Sequence, residues 1–290
     1  MTGTLHEWLE RALREHWALP HFNISSDVQL KGIMFACMEA RTPVMIGTSE
    51  GEADFIGFRT ARHLIDAAEE ETGLPIFLNA DHFHSFEKVA AALDAGYDSA
   101  LIDLSKKSAA DNQAETCRVV AEARAKHPDA SIEGELGYLV TESSKIYKEA
   151  VVIPPESLTN PAEARLFVEA TGVDRFAPAV GNLHGIAANM PQLDFERIAA
   201  IRAALPVNIA LVLHGGSGIP NDQMRRAIEL GFNNIHVSTE VRVAYTDALR
   251  KAFRDSPEET TPYKLYKPVI EAVRAKTMEK LQLFGSVNRI

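Results

Sequence analysis

Cysteine is scarce: of 290 residues only Cys37 and Cys117 carry a thiol. Both fall in helix-patterned stretches without CxxC spacing, which reads as reduced core thiols in a cytoplasmic protein. Positive charge is short as well. Thirty Lys and Arg stand against 40 Asp and Glu, a formal charge of −10, which excludes a general affinity for nucleic acid or an anionic membrane. No apolar run is long enough for a membrane span, and the amino terminus has no basic-then-apolar signal pattern. The early strand–helix turns lack a GxGxxG fingerprint, which argues against a doubly wound dinucleotide-binding sheet. Linkers, low-complexity segments and composition breaks are missing too, so residues 1–290 are expected to form a single domain.

What the chain does have is a hydrophobic share of 46%, enough for a full core, set in short apolar runs that alternate with helix-patterned stretches. The runs predict strands at 18–22, 43–46, 74–78, 99–102, 130–132, 175–180, 210–213 and 234–239. Between them lie helical spacings at 26–41, 53–72, 86–95, 110–127, 161–171, 195–205 and 224–230. A helix over 5–16 precedes the first strand, and helices over 241–254 and 263–283 close the chain. Eight strand–helix repeats predict an α/β fold, a single (β/α)8 TIM barrel with an extra N-terminal helix and C-terminal helices. Residues 137–155 form a polar loop, long for its place, and read as a mobile lid.

In such a barrel every strand delivers its carboxyl end to one face, where the chemistry sits. The ends in this chain present Asn23, Ser49, Asp81 with His82, Asp103, Glu135, His184, His214, and His236 with Ser238 and Thr239. Three histidines from separate strands, His82, His184 and His214, suit a catalytic metal with an open position. Asp103 and Glu135 read equally as support for that centre or as ligands of a second cation. Gly215, Gly216, Ser217 and Gly218 follow the seventh strand and suit a phosphate cradle, with Pro220 placed for the first turn of the next helix. The other histidines read differently. His6, His16, His63 and His127 fall in or beside helices, His84 reads as a loop residue, and His21 has no evident partner.

Asp81-His82, Gly181-Asn182-Leu183-His184-Gly185 and His214-Gly215-Gly216-Ser217-Gly218, in that order, resemble the class II, zinc-dependent ketose-bisphosphate aldolases of the fructose- and tagatose-bisphosphate types. Pro20-His21-Phe22-Asn23, Leu101 to Ser105, Glu133 to Gly137 and Leu283 to Ser286 extend the likeness over nearly the whole chain. The resemblance implies zinc on His82, His184 and His214, and Asp81 as the proton-transfer group. It also implies phosphate binding at Gly185, Gly215, Ser217, Ser238 and Thr239, and substrate contacts at Asn23 and Ser49. A homodimer or homotetramer, a monovalent cation near the phosphate and a place in carbohydrate metabolism such as glycolysis are further implications.

The chemistry suits these residue types. Aldol cleavage beside a ketone leaves an enediolate whose charge a divalent ion stabilises, and needs a base for the hydroxyl proton on the departing carbon. A Schiff-base route needs a desolvated lysine at a strand end, and none is there. The implied activity is reversible cleavage of a phosphorylated ketose to dihydroxyacetone phosphate and an aldehyde. Three departures stand out. His236 occupies the place of the family's enediolate-stabilising asparagine, Asn79 that of a frequent histidine, and the lid lacks the family's glycine pair followed by acids. Glu142 is the lid's candidate proton donor. His236 keeps two alternatives open: another keto-sugar or enolate isomerisation or epimerisation, or a non-catalytic paralogue.

Overall fold

Short runs buried on both faces, such as Ala210–Leu213, become parallel strands because neither face tolerates water. The computed structural model describes residues 3–189 and 192–290. It contains eight such strands: β1 (Leu19–Asn23), β2 (Val44–Ser49), β3 (Ile76–Phe83), β4 (Ser99–Ile102), β5 (Ser131–Leu136), β6 (Arg175–Pro178), β7 (Ala210–Leu213) and β8 (Phe232–Val237). Each pairs in parallel with its neighbours, and β1 pairs with β8, so the sheet closes into a barrel. The chain is thus an α/β barrel of the expected kind.

Helices α1 (Leu5–Arg14), α2 (Asp27–Ala40), α3 (Glu50–Ile56), α4 (Phe58–Thr72), α5 (Phe86–Asp94) and α6 (Ala109–Lys126) belong to the first half. The second half carries α7 (Pro161–Thr171), α8 (Phe195–Ala204), α9 (Asn221–Glu229), α10 (Thr239–Asp255) and α11 (Pro262–Leu283). Local chemistry starts them. Ser26 accepts from the Gln29 amide at the head of α2, and Asn160 with Pro161 opens α7. The main core lies between strands and helices, around Phe22, Ile46, Leu78, Phe176 and Leu213. A smaller cluster with Trp8, Leu9, Trp17 and Met45 closes the amino-terminal end of the barrel under α1.

Three elements differ from the sequence pattern. The single helix expected over 53–72 is two, because Gly57 takes φ 89° between α3 and α4. The first of them begins at a capping box between Ser49 and Glu52. Strand β3 runs on to Phe83, since barrel pairing extends past the apolar run that marks it. Ser238 and Thr239 leave β8 to head α10. The loop over 137–155 is tied by a short parallel pairing of Ile146–Tyr147 with Ile186–Ala187.

The barrel interior holds a buried polar network. Arg175 is fully buried and pairs with buried Glu133 at 2.7 Å. It also donates to Asn79 at 2.9 Å, Asn234 at 3.2 Å and Ser131 at 3.2 Å. Such a network persists only when its charges and amides satisfy one another.

Candidate active site and metal centre

Regular alternation sends consecutive strand residues to opposite faces. Asp81 and His82 are consecutive, yet both line the same cavity at the carboxyl end of the barrel. A register shift between Ala80 and Phe83 against β4, with His82 at φ 55°, turns the histidine inward beside the aspartate.

His82 Nδ1 donates to the Asp103 carboxylate at 2.8 Å, and His214 Nε2 donates to Glu133 at 2.6 Å. Carboxylates only accept, so each ring carries its proton on the nitrogen that meets the acid. The remaining nitrogens, His82 Nε2 and His214 Nδ1, face each other at 3.0 Å. Two neutral rings would aim lone pairs at one another there, an arrangement that calls for a proton or a cation between them. His184 completes the group, its ring edge-on to His82 with centroids 4.7 Å apart. Ligand-capable atoms of the three lie within 4.8 Å of one another. Burial, with the charges of His82 and His214 beside it, holds His184 well below the usual imidazole range, in the neutral form a metal binds. The donor set, with both anchoring carboxylates, fits a tetrahedral divalent ion with one position left for substrate.

A second cluster shares His82. Its ring nitrogen is 2.8 Å from Asp103 and 3.7 Å from Glu135. Glu135 Oε2 is buried without a hydrogen-bond partner among the described residues. Burial, then the Asp103 charge, raise the Glu135 carboxyl well above its usual range. An orphaned carboxylate beside another carboxylate fits a cation or a proton.

Asp81 is held at both oxygens. Asn23 Nδ2 donates to one at 2.9 Å and His236 Nδ1 to the other at 3.2 Å. Burial alone would raise this carboxyl, but the adjacent His82 and the His236 bond bring it well below the carboxylate range. It is therefore an ionised base at neutral pH. His236 is itself lowered to about 4 by burial and by His214. Its Nδ1 proton goes to Asp81, so the ring meets the carboxylate rather than presenting that donor to the cavity.

The loop after β7 is shaped by contact. A Cβ on Gly215, at φ 64°, would run into the Leu183 carbonyl. Ser217 Oγ accepts from the Glu240 amide at 3.2 Å, and Glu240 in turn takes Lys280 Nζ at 2.7 Å. Ser238 Oγ is buried without a partner among the described residues, beside Thr239 on the cavity wall. Gly185, Gly215, Ser217, Ser238 and Thr239 all line the cavity. Gly216 departs from expectation: its N–H donates to His236 O at 2.9 Å and is closed to an anion. The lid reaches the same wall, Thr141 Oγ1 donating to His184 O at 2.7 Å and the Ser144 amide to Thr239 Oγ1 at 3.2 Å.

Of the other expected residues, Asn23 and Ser49 line the cavity, and Glu142 lies at its lid, exposed and ion-paired with Lys145. That bond and charge lower the Glu142 carboxyl, so it stands as a carboxylate. His84 is exposed, its ring 3.1 Å from the Asp103 carbonyl. His21 does have a partner: it stacks on His236. Sequence reasoning passed over Glu52, which accepts from Ser25 at 2.7 Å, from the Ser49 amide at 2.8 Å and from Arg242 at 2.5 Å. It gave Glu133 no role and left Arg175 as an ordinary strand residue. The signal for Arg175 and Glu133 was a charge within a strand, and for Glu52 the capping-box spacing from Ser49.

The sequence model of the family described as "Fructose-bisphosphate aldolase class-II" matches residues 3–289. A fructose-bisphosphate aldolase from Geobacillus stearothermophilus is 36% identical over 286 residues, 98% of this chain and 96% of that one. Among solved structures, the YdjI aldolase from Escherichia coli K12 is similar with a TM-score of 0.84 and 30% identity, over 100% of this chain and 99% of that one. Fructose-bisphosphate aldolase from Campylobacter jejuni shares the fold, with a TM-score of 0.80 at 20% identity over 99% and 95% of the chains.

Proposed function

Because the chain belongs to the class II fructose-bisphosphate aldolase family, and is therefore an aldolase lyase, we propose that it reversibly cleaves a phosphorylated ketose, of the fructose or tagatose 1,6-bisphosphate kind, into dihydroxyacetone phosphate and an aldehyde. One observation carries the reading: three imidazoles, from β3 and from the loops after β6 and β7, meet in the cavity that the Asp81 carboxylate lines. His82, His184 and His214 hold the catalytic ion, for which zinc is the best fit, and Asp103 with Glu135 and His82 suits a second cation. When bound, the ion acts as a Lewis acid on the negative charge that develops on the ketone side.

The chain's own residues do the rest. Asp81 takes the proton from the hydroxyl on the departing carbon as the carbon–carbon bond breaks, and the bonding pair moves to the ketone half. Asn23 and His236 aim its two oxygens. Ser217, Ser238 and Thr239, with Gly185 and Gly215, hold the phosphate and so fix the reacting carbons against Asp81. Glu142, which lines the cavity from the lid, is the proposed proton donor to the ketone-side carbon, a role it takes up on leaving Lys145 and gaining a proton.

The test is a coupled assay of triose release from fructose and tagatose 1,6-bisphosphate on enzyme of measured metal content. Chelation is expected to abolish cleavage and zinc to restore it; chelator-insensitive cleavage sinks the metal assignment. His236 supports a second reading, enolate chemistry without cleavage, and hydrogen exchange at the substrate α-carbon with no triose release would favour it.

A further inference from the structure

We propose that His21 is a positioning residue for Asp81, acting through His236; the proposal rests on the aldolase reading above. Strands β1 and β8 close the barrel with His21 and His236 as register partners. Their rings lie flat on each other, centroids 3.6 Å apart and planes 6° from parallel. Both are buried. His236 donates from its edge to Asp81 at 3.2 Å, so the plane that His21 imposes is the plane in which the carboxylate is met.

The neighbours of His21 serve that stack. Gly47 on β2 makes room for it, since a Cβ there would overlap His21 Cε1 and Nε2. Asn79 Oδ1 accepts from Ser99 at 2.7 Å and from Arg175 at 2.9 Å, which turns its amide nitrogen toward His21 Nε2 at 3.1 Å. His21 therefore accepts at Nε2 and carries its proton on Nδ1. That Nδ1 has no partner among the described residues. A buried donor left unpaired is destabilising, and an apolar ring would stack without it. Nε2 serves to hold Asn79, and the geometry assigns the positioning of His236 to the ring face. His214 also packs against His236, ring centroids 4.4 Å apart, and removing His21 frees the stacked face of the ring that aims Asp81.

The experiment compares zinc-loaded wild type, His21→Leu, His21→Phe, His236→Asn and the His21→Leu/His236→Asn double variant. The substrate is fructose or tagatose 1,6-bisphosphate, whichever wild type cleaves faster, with zinc content and melting temperature measured alongside. His21→Leu fills the volume without a flat face. It is expected to lower kcat about three- to tenfold, the scale of one aromatic pair, with KM within about twofold. His21→Phe restores the face and is expected within about twofold of wild type. In the His236→Asn background, His21→Leu should have almost no further effect, because the ring it positions is gone. An equal loss in both backgrounds overturns the proposal, as does a His21→Phe loss as large as that of His21→Leu. A wild type that cleaves neither bisphosphate overturns the aldolase reading itself. In an enzyme that does cleave, a His236→Asn variant as fast as wild type overturns only the positioning role of His21.

Discussion

Asp81 has a hydrogen bond on each oxygen, so its charge is supported despite burial. Asp81→Asn keeps the shape and removes the base. Its kcat is expected to fall by about two to four orders of magnitude, the usual share of a positioned base, with KM little changed and the circular dichroism of wild type. The thiols give an independent check on the core. Cys37 is buried and burial pushes its pKa far up, whereas Cys117 is partly exposed. One thiol per chain should react with a disulfide reagent in the native protein at pH 8 and two after unfolding. Asp81, His82, His184 and His214 were legible in the sequence because each ends an apolar run or abuts glycine. Glu133 and Glu52 were not, since a buried carboxylate looks like a solvated one until its partners are in place.

At the scale of elements, strand ends and turns decide what reaches the site. The β3 bulge brings two neighbouring residues to one face, and no periodicity rule reveals it. The lid is partly legible: its length and polarity mark it, but its docking on His184 and Thr239 does not show. Lys145 and Lys148 are exposed on that loop. Limited trypsin digestion is expected to cut there, and zinc with dihydroxyacetone phosphate is expected to slow the cut by closing the lid. Digestion at an unchanged rate would count against a moving lid. Gly216 shows the limit of motif reading, for its amide belongs to β8 rather than to an anion.

At the scale of the whole molecule, the buried charges set a pH dependence. Glu133 is lowered to about 2: burial opposes this, but Arg175 and His214 outweigh it. Its contribution is present above about pH 4.5, the unfolded value, and is lost as pH falls toward 2. Glu135 runs the other way. Its folded pKa is raised, so its contribution is full below the unfolded value and is lost as pH rises. In chelated protein, Glu135→Gln, which mimics the protonated acid, should be more stable than wild type at pH 7.5 and equal to it at pH 4. Urea titration at the two pH values checks this, and a variant less stable at pH 7.5 would refute the assigned burial cost.

Apolar runs, glycine turns and helix caps act over a few residues, so the amino-acid sequence by itself determined the eight-fold strand–helix order and which side chains stand at the strand ends. It did not determine which of those side chains meet. Arg175 on Glu133, His214 against His82 and His21 flat on His236 each join residues far apart in the chain. The last of these comes into being only when β1 pairs with β8, Arg175 meets Glu133 as its register partner across β5 and β6, and His214 reaches His82 across the closed barrel, so strand pairing sets which side chains come within bonding distance.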